Sequence, residues 1–235
     1  MKRFWEQASV AEAPEGYAIL LDGKPVHLPG GATLHLPSRR LADAVAAEWQ
    51  AAGGGKGGDM SFADTPLTRL VGTAQERIAP DPEPTVAALA HYAESDLLCY
   101  RATYPAALVQ RQARCWQPWI DWAALTHDAP LKVTAGIATV RQDKVAVDAL
   151  RAALGRLDPL TLAALGIAVP ALGSLVLGLA LAEGRIDAGE AFALGALDEL
   201  FQAELWGTDA EAERRREAIR TDVADAARLI ALVRP

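Results

Sequence analysis

The 235-residue sequence is short of the side chains on which most catalytic and metal sites depend. It has two cysteines, Cys99 and Cys115, and four histidines, and none of them falls in the spacing typical of a zinc or protease motif. Basic residues are also fewer than acidic ones, 23 against 30, which leaves a net charge of −7. Such a balance argues against general binding to nucleic acid. We therefore expect no metal, no cofactor and no nucleic-acid partner.

Targeting and membrane signals are missing as well. The first ten residues, MKRFWEQASV, contain neither the apolar region of a signal peptide nor an Arg-rich presequence. The stretch 160–182 is uncharged over 23 residues, but glycines and Pro170 interrupt it. We predict two short buried helices that meet near residues 166–174, and no stable insertion into a membrane. Since the two cysteines belong to no cluster, we expect reduced thiols and a reducing compartment.

Aromatic residues make up only 6% of the chain, and alanine supplies much of its 51% hydrophobic fraction. Alanine has the highest helix propensity, so this composition favours helices. Strand-like runs are confined to residues 17–36, where turn signals separate about three short strands. Almost everything after residue 61 has helical patterning. The sequence predicts an α+β fold, with a small β-containing amino-terminal domain over 1–80 and a larger all-helical domain over 81–235.

The segment LDELFQAELWGTD at 197–209 places a carboxylate among core positions. At about 100° per residue, one apolar stripe is formed by Leu197, Leu200, Phe201 and Leu205. Glu204 falls inside that stripe. A carboxylate in such a place either contacts a partner molecule or pairs with an internal arginine.

Polar residues embedded in other apolar helices leave the same two interpretations open. A structural role would consist of internal ion pairs, including one between Glu204 and Arg69 or Arg101. A binding face is the alternative, because Trp, Tyr and Arg are enriched at protein–protein hot spots. The candidates for structural ion pairs are Arg69, Glu94, Asp96, Arg101 and Arg111.

Seven segments, in order along nearly the whole chain, carry a resemblance to a known family. They are RFW at 3–5, GYAILLDGKPVHLP at 16–29, LADAVAAEWQAA at 41–52, TPLTRLVGTAQERI at 65–78, YAESDLLCYRA at 92–102, LGSLVLGLAL at 172–181 and LDELFQAELWGTDAEAERRR at 197–216. Each is weak alone, but the ordered series resembles the assembly chaperones of the F1-ATPase that attend its α subunit in mitochondria and α-proteobacteria. The glycine-rich stretch at 53–58 departs from the family and looks like a tolerated loop insertion.

The resemblance implies a function as well as a fold. It implies a chaperone, not an enzyme, that binds the unassembled α subunit and shields the surface that later meets the β subunit. For a bacterial member without a presequence it implies the cytoplasm. It also implies a functionally sensitive acidic residue within 197–209, which we place at Glu204, with Asp198 and Glu199 as alternatives. The expected partner-binding set around it comprises Phe201, Leu205, Trp206 and Asp209.

A second class of function remains open from the residues alone. Clefts between domains are common ligand sites. Asp96, Arg101 and Arg69 would converge in such a cleft if the protein were a small-molecule enzyme or binding protein.

Overall fold

The computed structural model describes residues 1–136, 138–207 and 209–234. The chain divides into two compact units, each assembled from separate stretches. The first unit contains residues 1–82 and 159–164 together with the residues from Arg228 onward. The second contains residues 83–158 and 165–227.

The sheet of the first unit is antiparallel and centred on its second strand. That strand, β2, pairs with β1 along its whole length and with β3 and β4 over two residues each. Between β2 and β3, Asp22 and Gly23 have φ angles of 47° and 81°, as a tight hairpin turn requires. The strands are β1 (Ala8–Ala13), β2 (Gly16–Leu21), β3 (Lys24–Pro25) and β4 (His35–Leu36).

Two tryptophans join the amino terminus to the first helix, α1 (Arg39–Ala51). The rings of Trp5 and Trp49 lie 5.1 Å apart between centroids, and Trp5 Nε1 donates to the Trp49 carbonyl at 3.1 Å. Arg3, which is buried, donates to the carbonyl of Ala52 at the end of α1 at 3.1 Å. These contacts join residues 3–5 to the segment 41–52.

The next helix, α2 (Pro66–Thr73), receives its amino-terminal cap from α1. Glu48 accepts the backbone N–H of Leu67 at 3.0 Å through Oε2, and Arg228 Nη1 donates to Glu48 Oε1 at 2.7 Å. After Thr73 the backbone forms one π-helical turn, Ala74–Ile78.

Helices dominate the rest of the described chain. A two-residue parallel pair, β5 (Tyr100–Arg101) with β6 (Thr134–Ala135), is the only other sheet among the described residues. This arrangement confirms the predicted α+β class. The helices are α3 (Glu83–Ala90), α4 (Ala106–His127), α5 (Lys144–Leu154), α6 (Pro159–Leu172), α7 (Leu175–Ala182), α8 (Ala188–Gly195), α9 (Leu197–Trp206) and α10 (Ala210–Val233).

The uncharged stretch 160–182 forms two helices, as predicted, which meet at Gly173 and Ser174. Gly173 has a φ of 65°, and the Ser174 hydroxyl accepts the N–H of Leu177 at 3.1 Å, so the first helix ends and the second is capped. All of α7 from Leu175 to Leu181 is buried. Within residues 1–136, 138–207 and 209–234, no helix combines the length and hydropathy needed to cross a bilayer.

Candidate partner-binding site

An exposed ion pair lies near the carboxyl end of α9. Arg111 of α4 donates through Nη1 to Glu204 Oε1 at 2.7 Å and through Nη2 to Oε2 at 2.8 Å. The same guanidinium lies over the ring of Phe201, 4.9 Å from its centroid. Hydrogen bonding from Arg111 lowers the pKa of the Glu204 carboxyl, so the pair is charged at neutral pH.

This geometry corrects the predicted structural partners of Glu204. The predicted partners were Arg69 or Arg101, and the ion pair that the structure gives to Glu204 is with Arg111. The Glu204 side chain is also not a core group, because 55% of it is exposed.

The apolar stripe of α9 divides into a buried half and an exposed half. Leu197 and Phe201 are buried, whereas Leu205 is 56% and Trp206 78% exposed. Leu205 and Trp206 are adjacent in the chain and form one exposed apolar patch, and contiguous apolar patches often mark interaction sites. Glu204 therefore stands at the border between the core face of α9 and an accessible apolar end.

Asp198 faces inward. Its Oδ1 accepts a hydrogen bond from Gln112 Nε2 at 2.8 Å, and burial raises the pKa of its carboxyl. Gln112 is buried, and its Oε1 accepts the N–H of Ala102 at 2.7 Å. Gln112 was not predicted from the sequence, because an uncharged amide within a helix carries no distinctive signal.

Glu199 and Asp209 line a groove of about 350 Å³ between α9 and the start of α10. Glu199 Oε1 lies 3.5 Å from Arg215 Nη2. Asp209 Oδ1 accepts the N–H groups of Glu211 and Ala212 at 2.9 and 2.8 Å, and so caps α10. The groove is lined by Glu199, Gln202, Ala203, Trp206, Gly207, Asp209, Ala212, Arg215 and Arg216.

Asp96 has no ion-pair partner among the described residues, contrary to the structural prediction. It is fully buried and accepts the N–H groups of Leu98 and Val176 at 3.1 and 3.0 Å. Burial raises the pKa of its carboxyl to about 6, and the backbone hydrogen bonds oppose that rise. Through these two amides Asp96 joins the residues that follow it to the start of α7.

Arg101 is held by carbonyl groups and by an aromatic ring. It donates to the Leu98 carbonyl at 2.8 Å and to the Gln112 carbonyl at 2.9 Å, and its guanidinium lies 5.4 Å from the centroid of Trp116. Partial burial lowers the pKa of Arg101.

Glu94 and Arg69 lie at the surface. Glu94 Oε2 is 3.4 Å from His91 Nδ1, one turn earlier. Arg69 is exposed on α2, and the described part of the chain supplies it with no ion pair. Of the five predicted members of ion pairs, Arg111 is the one joined bidentately to a carboxylate.

Comparison with known proteins identifies the family. Residues 2–124 match the ATP12 chaperone protein family. Atp12 from Paracoccus denitrificans is 44% identical over 99% of this chain and 98% of its own, with a TM-score of 0.91. A mutant of P. denitrificans Atp12p is 43% identical over the same shares, with a TM-score of 0.90. The Atu1473 protein of Agrobacterium tumefaciens is 40% identical over 98% of this chain and 85% of its own, with a TM-score of 0.88. This chain belongs to the ATP12 chaperone family, the F1-ATPase assembly chaperones that its sequence resembles.

Proposed function

We propose that this chaperone holds the unassembled α subunit of the F1 sector of ATP synthase and covers the surface that later meets the β subunit. The observation that carries the proposal is the accessible apolar end of α9. There Leu205 and Trp206 are exposed directly beside the Arg111–Glu204 pair. Covering a client surface requires no bond to be made or broken, so the proposal includes no catalytic activity.

The apolar residues would supply most of the affinity. An unassembled subunit exposes an apolar interface that aggregates unless another surface covers it. Trp206 offers a large aromatic surface, and tryptophan is among the residues most enriched at binding hot spots. A surface of this kind covers a client without binding it irreversibly.

The ion pair would supply orientation. Charged groups at an interface contribute to specificity and to the association rate more than to affinity. Arg111 fixes the Glu204 carboxylate through two hydrogen bonds, so the client meets a side chain whose rotamer is already ordered. The free lone pairs of that carboxylate remain available to a donor on the client.

The direct test uses the α and β subunits of F1, expressed and purified separately. Each is mixed with the chaperone and passed over a size-exclusion column. We expect co-elution with α and none with β. Association with neither subunit, or equal association with both, would overturn the proposal.

Alanine variants of two exposed aromatic residues test whether the end of α9 is the contact. Trp206→Ala should weaken capture of the α subunit at least about tenfold, as loss of a hot-spot side chain does. Tyr104→Ala is the control, because Tyr104 is 83% exposed in the same unit and lies outside the α9 groove. Equal losses in the two variants would show that the apolar end of α9 is not the contact.

A further inference from the structure

The first unit contains a second groove. None of the residues discussed above for partner binding lines it. It has a volume of about 550 Å³ and an apolar floor made by Val26, Leu28 and Trp49. Gly72 of α2 completes the floor, and a Cβ there would lie 2.9 Å from Leu28 Cδ2. Glycine at this position therefore preserves the shape of the groove.

The rim of this groove combines an exposed ring with positive charge. Phe62 is 58% exposed, and Arg69 and Arg77 both line the opening. Within residues 1–136, 138–207 and 209–234, neither arginine forms an ion pair. The Glu76 carboxylate also lines the groove, and its Oε1 accepts the N–H of Gly30 at 2.8 Å. The groove thus carries two arginines against one carboxylate, a local positive balance on a chain whose net charge is −7.

The backbone under the rim is also unusual. Arg77 lies in the π-helical turn Ala74–Ile78, in which Ala79 donates its N–H to Ala74, five residues earlier. This turn follows the last residue of α2 and is itself followed by a turn at Ala79 and Pro80, so it ends the helix. It positions Arg77 beside the groove.

We propose that this groove binds a short segment of the client polypeptide in which apolar side chains stand beside carboxylates. An arginine without a carboxylate partner is suited to a planar oxyanion, and an apolar floor is suited to an aliphatic or aromatic side chain. A peptide that carries both groups meets the two requirements together. The inference rests on the proposed function, since it takes the unassembled α subunit as the source of the segment.

Photocrosslinking tests where the segment lies. The photoreactive residue p-benzoylphenylalanine is placed at Phe62, and the purified full-length chaperone is irradiated with the α subunit. Phe4 is the matched control, because it is a phenylalanine of the same unit with 60% exposure and does not line the groove. We expect an adduct from position 62 and none from position 4. Mass spectrometry should place the adduct in an α-subunit segment that contains Asp or Glu beside apolar residues.

Charge reversal tests the role of the arginines. The double variant Arg69→Glu, Arg77→Glu should reduce capture of the α subunit about tenfold or more. Arg40→Glu is the control, because Arg40 is an exposed arginine of the same unit outside the groove. All variants should keep the melting temperature of the wild type, since the substituted side chains are exposed.

The outcomes separate this inference from the function on which it rests. If wild-type chaperone captures the α subunit, but position 62 gives no adduct or the double variant binds normally, the groove inference is overturned and the proposed function stands. An adduct whose client segment lacks carboxylates also overturns it. If wild-type chaperone fails to capture the α subunit, the proposed function itself fails.

Discussion

Glu204 shows how a distant contact determines the environment of a single residue. Its place on the helical wheel of α9 is among core side chains, and that much follows from spacing alone. Its exposure follows from Arg111, which lies 93 positions away in the sequence and holds the carboxylate at the surface. A helical wheel identifies the face of a helix, but it contains no information about which other helix packs there.

Glu204→Gln separates the structural from the binding role of this carboxylate. The amide is nearly isosteric but loses the charge that Arg111 binds. Exposed ion pairs contribute little to stability, so the melting temperature should change only slightly. Capture of the α subunit should fall several-fold, about as much as loss of a charge-assisted hydrogen bond implies.

The control for this variant is Glu213→Gln, which removes the same charge from an exposed site on α10 outside the groove. A lower melting temperature with unchanged capture in Glu204→Gln would contradict the binding role. Equal loss of capture in both variants would mean that only net charge matters.

The raised pKa of Asp96 predicts that the free energy of unfolding depends on pH. Burial raises the pKa of its carboxyl from 3.8 to about 6, so the folded protein holds this proton more tightly than the unfolded chain. The protonated Asp96 carboxyl therefore contributes its full stabilisation below pH 3.8. That contribution is lost as the pH rises through about 6. The loss amounts to roughly 3 kcal/mol.

Urea denaturation across this pH range, followed by tryptophan fluorescence, measures the effect as a difference between wild type and Asp96→Asn. The wild-type free energy of unfolding should fall relative to the variant as the pH rises, and the difference should then stay constant. A difference that does not change with pH would show that Asp96 does not titrate in this range.

The position of a residue on its helix was predictable, because it depends on local sequence. The apolar stripe of 197–209 follows from such a local pattern. The hydrogen bonds of Asp96 and Gln112 join groups far apart in the chain, such as Asp96 with Val176 and Gln112 with Asp198. No periodicity in one segment encodes such a partner.

At the level of secondary structure, helices were easier to predict than strands. The break within residues 160–182 follows from Gly173 and Ser174, whose local preferences end one helix and cap the next. Strand β1 was not predicted, since ASVAEA is rich in small residues and has little β propensity. It forms because β2 supplies a partner along all six of its residues.

Replacing two glycines in neighbouring helices by alanine should change the free energy of unfolding in opposite directions. A Cβ at Gly178 of α7 would collide with Val169 of α6, whereas a Cβ at Gly166 would meet no atom within 4 Å. Gly178→Ala should therefore lower the free energy of unfolding by roughly 1–3 kcal/mol, the usual cost of overpacking a core. Gly166→Ala should raise it by about 0.5–1 kcal/mol through helix propensity.

Urea titration of both glycine variants provides the measurement. Stabilisation by Gly178→Ala would show that α6 and α7 do not approach as closely as described. Destabilisation by Gly166→Ala would show that this position is not open.

For the molecule as a whole, the first unit is assembled from three separate stretches of chain. The change from strand-like to helical patterning led us to predict a first domain over 1–80. It gives no sign that residues 159–164, or those from Arg228 onward, belong to the same unit as the strands. Membership of a unit depends on long-range packing, as in the hydrogen bond between Arg228 and Glu48 across 180 positions.

The variant Arg228→Ala tests how much the contact between Arg228 and Glu48 contributes to stability. It removes the cation that contacts buried Glu48 at 2.7 Å, and Glu48 also caps α2. We expect the free energy of unfolding to fall by roughly 1–3 kcal/mol. Arg214→Ala, an exposed position on the same helix, should leave it within about 0.5 kcal/mol of wild type. Identical values for the two variants would contradict a structural role for Arg228.

The three-part construction of the first unit also bears on how the protein is made. A ribosome releases the strands of the sheet early and the end of α10 late, because synthesis proceeds from the amino terminus. The amino-terminal unit must therefore wait for the last helix before it is complete. During translation this chaperone passes through a stage in which its own half-built core is exposed, the same condition from which it would protect its client.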